Sequence, residues 1–365
     1  MLALLAAAAL QAAAPAAKTW PTHEADVVLK DFHFGDGESL PEVRMHYTSL
    51  GTPHRNAAGE IDNAVMVLHG TGGDGHQFLR PQFADELYGP GQPLDIRKYW
   101  IILPDNIGHG KSSKPSDGLR MKFPKFDYAD MIEAQHRMLT EGLGIKHMRL
   151  IMGTSMGCMM SFMWGEMYPD FESALMPLAC EPIEIAGLNR MWRQMVIDGI
   201  EKDPAWNGGN YTRQPEQGLR TAASILVIAG GAPLYLQKTY PTRQAASAAA
   251  ERNVAAEMAD MEANDTIYQF DSSRNYNPWP ELGKIKAPLT WINSADDFIN
   301  PRNLPVPQEA LKRMSKTARF RLIPESSDTH GHGTHTWAKF WKGDLSALLA
   351  RSREEPRHRP RRGSW

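Results

Sequence analysis

The chain is 365 residues long, 42% hydrophobic and 22% charged, with a formal net charge of −2 at pH 7. That content suits one large core with an inserted subdomain, and the near balance of charge excludes the basic field that a nucleic-acid partner requires. Its two cysteines, Cys158 and Cys180, make no disulfide scaffold, and both are expected as buried free thiols.

The N-terminal run MLALLAAAAL is too short to span a bilayer, and the small residues from Ala12 to Ala17 supply an A-x-A-like cleavage site before Lys18. Residues 1–17 therefore read as a signal peptide, which predicts a periplasmic or secreted protein with no stable membrane insertion once the leader is gone. No Lys or Arg precedes the apolar run, so a cytoplasmic location follows if the leader is not a signal. Residues 18–180 then read as the first part of a core. Asp26–Phe34 and Val43–Ser49, joined by a Gly-Asp-Gly turn, form an antiparallel hairpin. Strands follow at Ala64–Leu68, Trp100–Leu103, Met148–Met152 and Ser173–Leu178, with helical periods over Phe126–Leu143 and Met156–Tyr168. The alternation predicts βαβ units and a mostly parallel sheet flanked by helices.

Two loops of this first part carry chemistry. After the third strand comes Leu68-His69-Gly70-Thr71-Gly72-Gly73-Asp74-Gly75, which has neither G-K-[ST] nor the G-x-G-x-x-G spacing of a nucleotide loop. His69 reads there as a structural residue holding the loop. Gly153-Thr154-Ser155-Met156-Gly157 is a GxSxG pentapeptide between a strand and a helix, the pattern of a nucleophile elbow. The backbone N–H groups of Met156 and Thr71 are the best donors to an oxyanion formed at Ser155. The methionines that follow, Met159, Met160 and Met163, read as core packing.

Residues 181–285 break the strand–helix rhythm and read as a helical cap inserted between two strands. Met191, Trp192, Met195, Trp206, Tyr235, Tyr240 and Trp279 within it are candidates for an apolar acyl pocket, although cap core suits each singly. The second part of the core, residues 286–350, opens with a strand over Pro288–Asn293. Its exit loop, Ser294-Ala295-Asp296-Asp297-Phe298-Ile299-Asn300-Pro301, offers two carboxylates to orient a base. A helix over Gln308–Met314 and a last strand over Ala318–Ile323 lead to a loop with three histidines in six positions, His330, His332 and His335. No regular element fixes that spacing for zinc, and Asp328 alone stands near as a further ligand, so no metal is expected. His332, flanked by glycines ahead of the last helix (Trp337–Ala350), is the candidate base, and His330 and His335 read as surface residues of the loop. The Arg-rich end, 351–365, reads as a solvated tail.

These features together resemble the α/β-hydrolase superfamily, and within it the homoserine O-acetyltransferase-like branch. The resemblance is carried by Ser155-Met156-Gly157, Tyr168-Pro169-Asp170, the run from Asp203 to Tyr211, Pro215-x-x-Gly218-Leu219, Tyr268-x-Phe270-Asp271 and Leu282-x-x-Ile285-x-Ala287-Pro288. It implies an α/β-hydrolase fold with Ser155 as nucleophile, His332 as base, Asp297 as the orienting acid four residues before a proline, and Thr71 and Met156 as oxyanion donors. No cofactor is implied, a small-molecule ester or acyl substrate is, and a homodimer is in keeping. Three departures separate the chain from the acetyltransferases. Asp105-Asn106-Ile107-Gly108-His109-Gly110-Lys111-Ser112 resembles the turn of ordinary hydrolases, Thr154 replaces a glycine before the serine, and Cys158 replaces another. Export would also remove the protein from acetyl-CoA. The expected activity is hydrolysis of a carboxylic ester or lactone through an acyl-enzyme, with O-acyl transfer from acyl-CoA as the alternative.

Overall fold

Short aliphatic runs bounded by turns can bury both faces only as inner strands of a parallel sheet, and they do so here. The computed structural model describes residues 18–352, so the leader and most of the basic tail lie outside the described residues. In chain order the elements are β1 (His23–His33), β2 (Ser39–Leu50), β3 (Ala64–Leu68), α1 (Pro81–Leu87), β4 (Trp100–Pro104), α2 (Tyr128–Arg137), β5 (Leu150–Thr154), α3 (Met156–Met167) and β6 (Leu175–Leu178). Then come α4 (Gly187–Glu201), α5 (Glu216–Ala229), α6 (Pro233–Thr239), α7 (Arg243–Ala259), α8 (Ala263–Asp271), β7 (Thr290–Ser294), α9 (Val306–Arg313), β8 (Arg319–Ile323) and α10 (Lys342–Arg351).

All eight strands form one sheet in the order β1-β2-β4-β3-β5-β6-β7-β8. The β1–β2 and β2–β4 pairings are antiparallel and the rest are parallel. The period of two divides β3 between two cores: Ala64, Met66 and Leu68 face one layer with α2 and α3, while Val65 and Val67 face the other with α1 and α10. The five helices α4–α8 lie between β6 and β7 and pack round a smaller core of their own, including Trp192, Val196, Ile200, Leu219, Ile267 and Phe270.

The observed boundaries differ from the sequence expectation where a cap or a turn intervenes. α2 starts at Tyr128 because the Asp127 side chain accepts from the Asp130 N–H and the Asp130 side chain accepts from the Asp127 N–H, a reciprocal cap. The last helix is split, with a short helical turn at Ala338–Phe340 ahead of α10. The cysteine expectation is overturned: Cys158 and Cys180 are joined in a disulfide. β6 runs parallel beside β5, so the chain leaving β6 passes the first turn of α3, and the two Cα atoms come within 5.8 Å.

Candidate active site

Ser155 sits between β5 and α3 with φ 55° and ψ −110°, a conformation that L-residues avoid. The neighbouring glycines permit it through close packing. A Cβ on Gly153 would lie 2.2 Å from the Gly157 carbonyl oxygen, and one on Gly157 would lie 2.1 Å from the Leu68 carbonyl oxygen of β3. The turn is pinned by the Ser155 N–H donating to the Leu178 carbonyl at 2.9 Å and the Gly157 N–H donating to the His69 carbonyl at 3.0 Å.

His332 comes to Ser155 across 177 residues of sequence, with Nε2 2.8 Å from the serine Oγ. Its Nδ1 lies 2.9 Å from Oδ2 of Asp297. An ionised carboxylate only accepts, so Nδ1 carries the proton and Nε2 is left to accept from the hydroxyl. Asp297 is 2% exposed and also accepts from the Ile299 N–H (2.8 Å) and from Nδ2 of Asn300 (2.8 Å). Burial alone would push this carboxyl up, but the charge and hydrogen bond of His332, with those from Asn300 and Ile299, hold it below its ordinary value.

The two competing carboxylates therefore separate. Asp296 is engaged elsewhere: its Oδ2 accepts from the Thr329 hydroxyl at 2.8 Å and from the Gly331 N–H at 3.0 Å, and its Oδ1 is held by the Ser294 hydroxyl. It fastens the loop that carries His332. The other two histidines also depart from the surface reading. His330 stacks on Trp337 and meets the ring of Tyr235 from α6. His335 packs against His332 and is pushed down to about 3, first by burial and then by the His332 charge, so its Nδ1–H donates to the His332 carbonyl.

The backbone N–H groups of Thr71 and Met156 have no acceptor among the described residues, and Thr71 lines the same cavity as Ser155. The glycine-rich loop holding Thr71 is braced from below. The Asp105 carboxylate accepts from the Gly75 N–H (2.9 Å) and the Lys111 N–H (2.8 Å), and Nε2 of His69 accepts from Asn106 Nδ2 at 2.9 Å. His69 thus holds this loop.

Ser155 and His332 stand at the meeting of two cavities, one of about 1320 Å³ and one of about 50 Å³. Of the aromatic and methionine residues expected at an acyl pocket, Trp192 and Tyr235 line the larger cavity. Met191 and Met195 point to solvent instead, 55% and 51% exposed. Trp206 packs into the core of the insertion, and Trp279 packs against the sheet layer.

Two lining residues were not singled out from sequence. Arg193 on α4 is 2% exposed, lines both cavities, and donates to Asn189 and Ser273, with no carboxylate paired to it among the described residues. Its signal was an arginine within the buried stripe Trp192, Val196, Ile197 and Ile200. A buried guanidinium so placed favours an electron-rich group on a ligand. Glu181, three residues after β6, lines the smaller cavity. No local pattern marked it, since it sits in a loop where a carboxylate is ordinarily solvated.

Residues 63–329 match the model of the alpha/beta hydrolase fold. The homoserine O-acetyltransferase of Carboxydothermus hydrogenoformans is 30% identical over 340 residues, a match covering 81% of this chain and 86% of that one. The crystal structure of homoserine O-acetyltransferase from Bacillus anthracis superposes with a TM-score of 0.79 at 20% identity, covering 91% of this chain and 98% of the other. An acetylester hydrolase from Corynebacterium glutamicum superposes with a TM-score of 0.78 at 20% identity, covering 90% and 96%. At such identities the structural likeness speaks for the fold alone.

Proposed function

The chain belongs to the α/β-hydrolase fold family, in its homoserine O-acetyltransferase-like branch, and on that footing we propose that it is a serine hydrolase cleaving a carboxylic ester through an acyl-enzyme. The observation that carries this reading is the unbroken run from Ser155 Oγ through both nitrogens of His332 to Asp297, with the backbone N–H groups of Thr71 and Met156 left without acceptors among the described residues. Ser155 Oγ attacks the ester carbonyl carbon while His332 Nε2 takes its proton, and Asp297 steadies the imidazolium. The carbonyl oxygen, now negative, is held by the N–H groups of Thr71 and Met156. The C–O bond breaks as His332 returns the proton to the leaving alcohol. Water then adds to the acyl-enzyme, gives its proton to His332, and the acid leaves as Ser155 regains its hydrogen.

The disulfide supports hydrolysis over transfer. Persistent disulfides belong to oxidising compartments, in keeping with the apolar leader and with a periplasmic or secreted protein that does not meet acyl-CoA. The second reading, O-acyl transfer, is favoured by the identity shared with the Carboxydothermus acetyltransferase over most of both chains. The test is leaving-group release from acetyl-CoA and from p-nitrophenyl esters, with and without homoserine, in wild type and Ser155→Ala. We expect ester cleavage indifferent to homoserine, acetyl-CoA left intact, and a loss on the order of 10⁴-fold or more in Ser155→Ala. Thiol release stimulated by homoserine would make the protein a transferase, and an active Ser155→Ala would remove the nucleophile assignment altogether.

A further inference from the structure

Thr154 precedes the nucleophile, and its hydroxyl takes no part in ester cleavage itself. It closes β5 and is fully buried. Its Oγ1 accepts from Nε2 of Gln77 at 3.0 Å, a contact between residues 77 positions apart. Gln77 lies in the short helical turn Gly75–Leu79 that follows the glycine-rich loop, half-buried on the wall of the main cavity. Its side chain folds back over that loop, and its Oε1 fills the space that a Cβ on Gly73 would need.

The two oxyanion donors belong to different pieces of chain. The Met156 N–H belongs to the first turn of α3, whereas the Thr71 N–H rides on a loop with Gly70, Gly72, Gly73 and Gly75, which leaves the backbone many conformations. Bonds of Gly75 to Asp105 and of His69 to Asn106 hold this loop to the chain leaving β4. Toward the elbow, the Gly157 N–H reaches the His69 carbonyl ahead of the glycines. Beyond them, the bond from Gln77 to Thr154 is the side-chain hydrogen bond that crosses among the described residues. Clearance there is small, since a Cβ on Gly70 would lie 3.4 Å from that of Ser155. A slide of the loop therefore carries the Thr71 N–H off the oxyanion while the Met156 N–H stays in place.

Resting on Ser155 as nucleophile and on those two N–H groups as its oxyanion donors, we propose that Gln77 and Thr154 are positioning residues. Their hydrogen bond sets the Thr71 N–H against the Met156 N–H so that both reach one tetrahedral oxyanion. A donor aimed at the oxyanion is worth about 10²–10³ in turnover, and a misaimed one forfeits part of that. A glycine ahead of the serine would offer Gln77 no acceptor.

Thr154→Val keeps the branched shape in β5 and removes the acceptor, while Gln77→Met keeps the length at the cavity wall and removes the donor. Each is expected to lose about tenfold in kcat/KM for p-nitrophenyl acetate. The double variant loses no more than either alone, because the same bond is cut in all three. Thr154→Ser, which restores the hydroxyl, recovers the turnover lost in Thr154→Val. The readout particular to positioning is inhibition by two matched ketones. Ser155 Oγ adds to the carbonyl carbon of an alkyl trifluoromethyl ketone as His332 takes the serine proton, and the oxyanion so formed sits on both N–H groups. The methyl ketone of the same chain length binds without that addition. Both single variants should weaken the trifluoromethyl ketone about tenfold and leave the methyl ketone within about twofold. Losses that multiply in the double variant, a wild-type rate in Gln77→Met, or equal weakening of both ketones overturns the proposal, and the last is what a merely structural pair would give. Gln77 lies at the cavity wall, so Gln77→Met decides the matter even where a change at buried Thr154 impairs folding. Each of these outcomes leaves the nucleophile reading standing. That reading falls instead if Ser155→Ala cleaves the ester at the wild-type rate.

Discussion

The elbow and the helical insertion border the same cavity, yet their sequences constrain them in opposite ways. Round Ser155 the backbone is over-determined. Two glycines are compelled by carbonyl oxygens at 2.2 and 2.1 Å from any added Cβ, and the serine itself is held at φ 55°. The insertion is held by side-chain packing round a modest core of its own and by hydrogen bonds to the loops beneath it, such as Asp265 accepting from the Ser116 N–H at 2.8 Å and Gln269 Nε2 donating to the Gly108 carbonyl at 2.8 Å, while Leu188, Met191 and Met195 of α4 stay about half exposed. Reacting atoms are placed by contacts that admit almost one residue type, whereas the cavity's shape comes from packing that many sequences would satisfy.

The comparison breaks most visibly at the two adjacent aspartates of the rigid half. Asp297→Asn keeps the shape but presents a donor to His332, favouring the wrong tautomer, and turnover should fall about 10⁴-fold. Asp296→Asn weakens only the bonds to Thr329 and Gly331, and a loss of about tenfold is expected, with the tautomer intact. Steady-state ester hydrolysis by the two variants decides the matter; equal losses would mean that loop anchoring, and not imidazole orientation, is what Asp297 contributes.

Next in size is the covalent tie within the rigid half, between α3 and the chain leaving β6. In Cys158→Ala/Cys180→Ala the loop closed across 22 residues is released, at a cost of about 3 kcal/mol in stability. Thermal unfolding should drop by several degrees, and reductant should mimic the double variant in wild type and do nothing further to the variant itself. An unchanged melting temperature would show that the contacts between β5, β6 and α3 suffice alone.

What could be read ahead follows the same division. The strands fall within a few residues of the apolar runs, because a buried parallel strand leaves little but Val, Ile, Leu and Met to choose from. Ser155 and His332 were legible because glycines flank both, and the structure brings the two together as the sequence suggested. The choice of Asp297 over Asp296 needed the family resemblance, since both precede the same turn. The disulfide was not legible, because the approach of Cys158 to Cys180 depends on β6 lying against β5, a pairing that no local pattern encodes. Arg193 and Glu181 were missed for a related reason: a charged residue reads as solvated until the neighbouring elements close over it.

Burial without a partner weakens even the rigid half, and Glu172 tests this. It is 4% exposed, neither carboxyl oxygen has a partner among the described residues, and burial, then the charge of Asp170, push it up to about 8. Between its ordinary value of 4.5 and about 8 the folded state therefore binds more protons than the unfolded chain, so stability falls as pH rises through that window. Glu172→Gln removes this dependence. Relative to wild type the variant should gain stability steadily from the acid to the alkaline end of the window, read from denaturant midpoints at each pH. Parallel pH profiles for the two proteins would mean that the carboxyl is solvated in practice.

The smallest effect belongs to the permissive half. Leu226 of α5 is half-buried, lines the main cavity, and packs only at the edge of the insertion's core. Leu226→Ala removes about three carbons from that wall, so a substrate group resting there should lose on the order of 1 kcal/mol of contact, a three- to tenfold change. Octyl acetate should suffer this loss in kcat/KM while ethyl acetate, too short to reach the wall, changes less than twofold. Because Ser155 and His332 are positioned by β5, β7 and their own loops, kcat for the short ester has no reason to move. If it fell together with the long one, α5 would be setting the geometry of the reacting groups as well as the shape of the cavity, and the division between the two regions would dissolve.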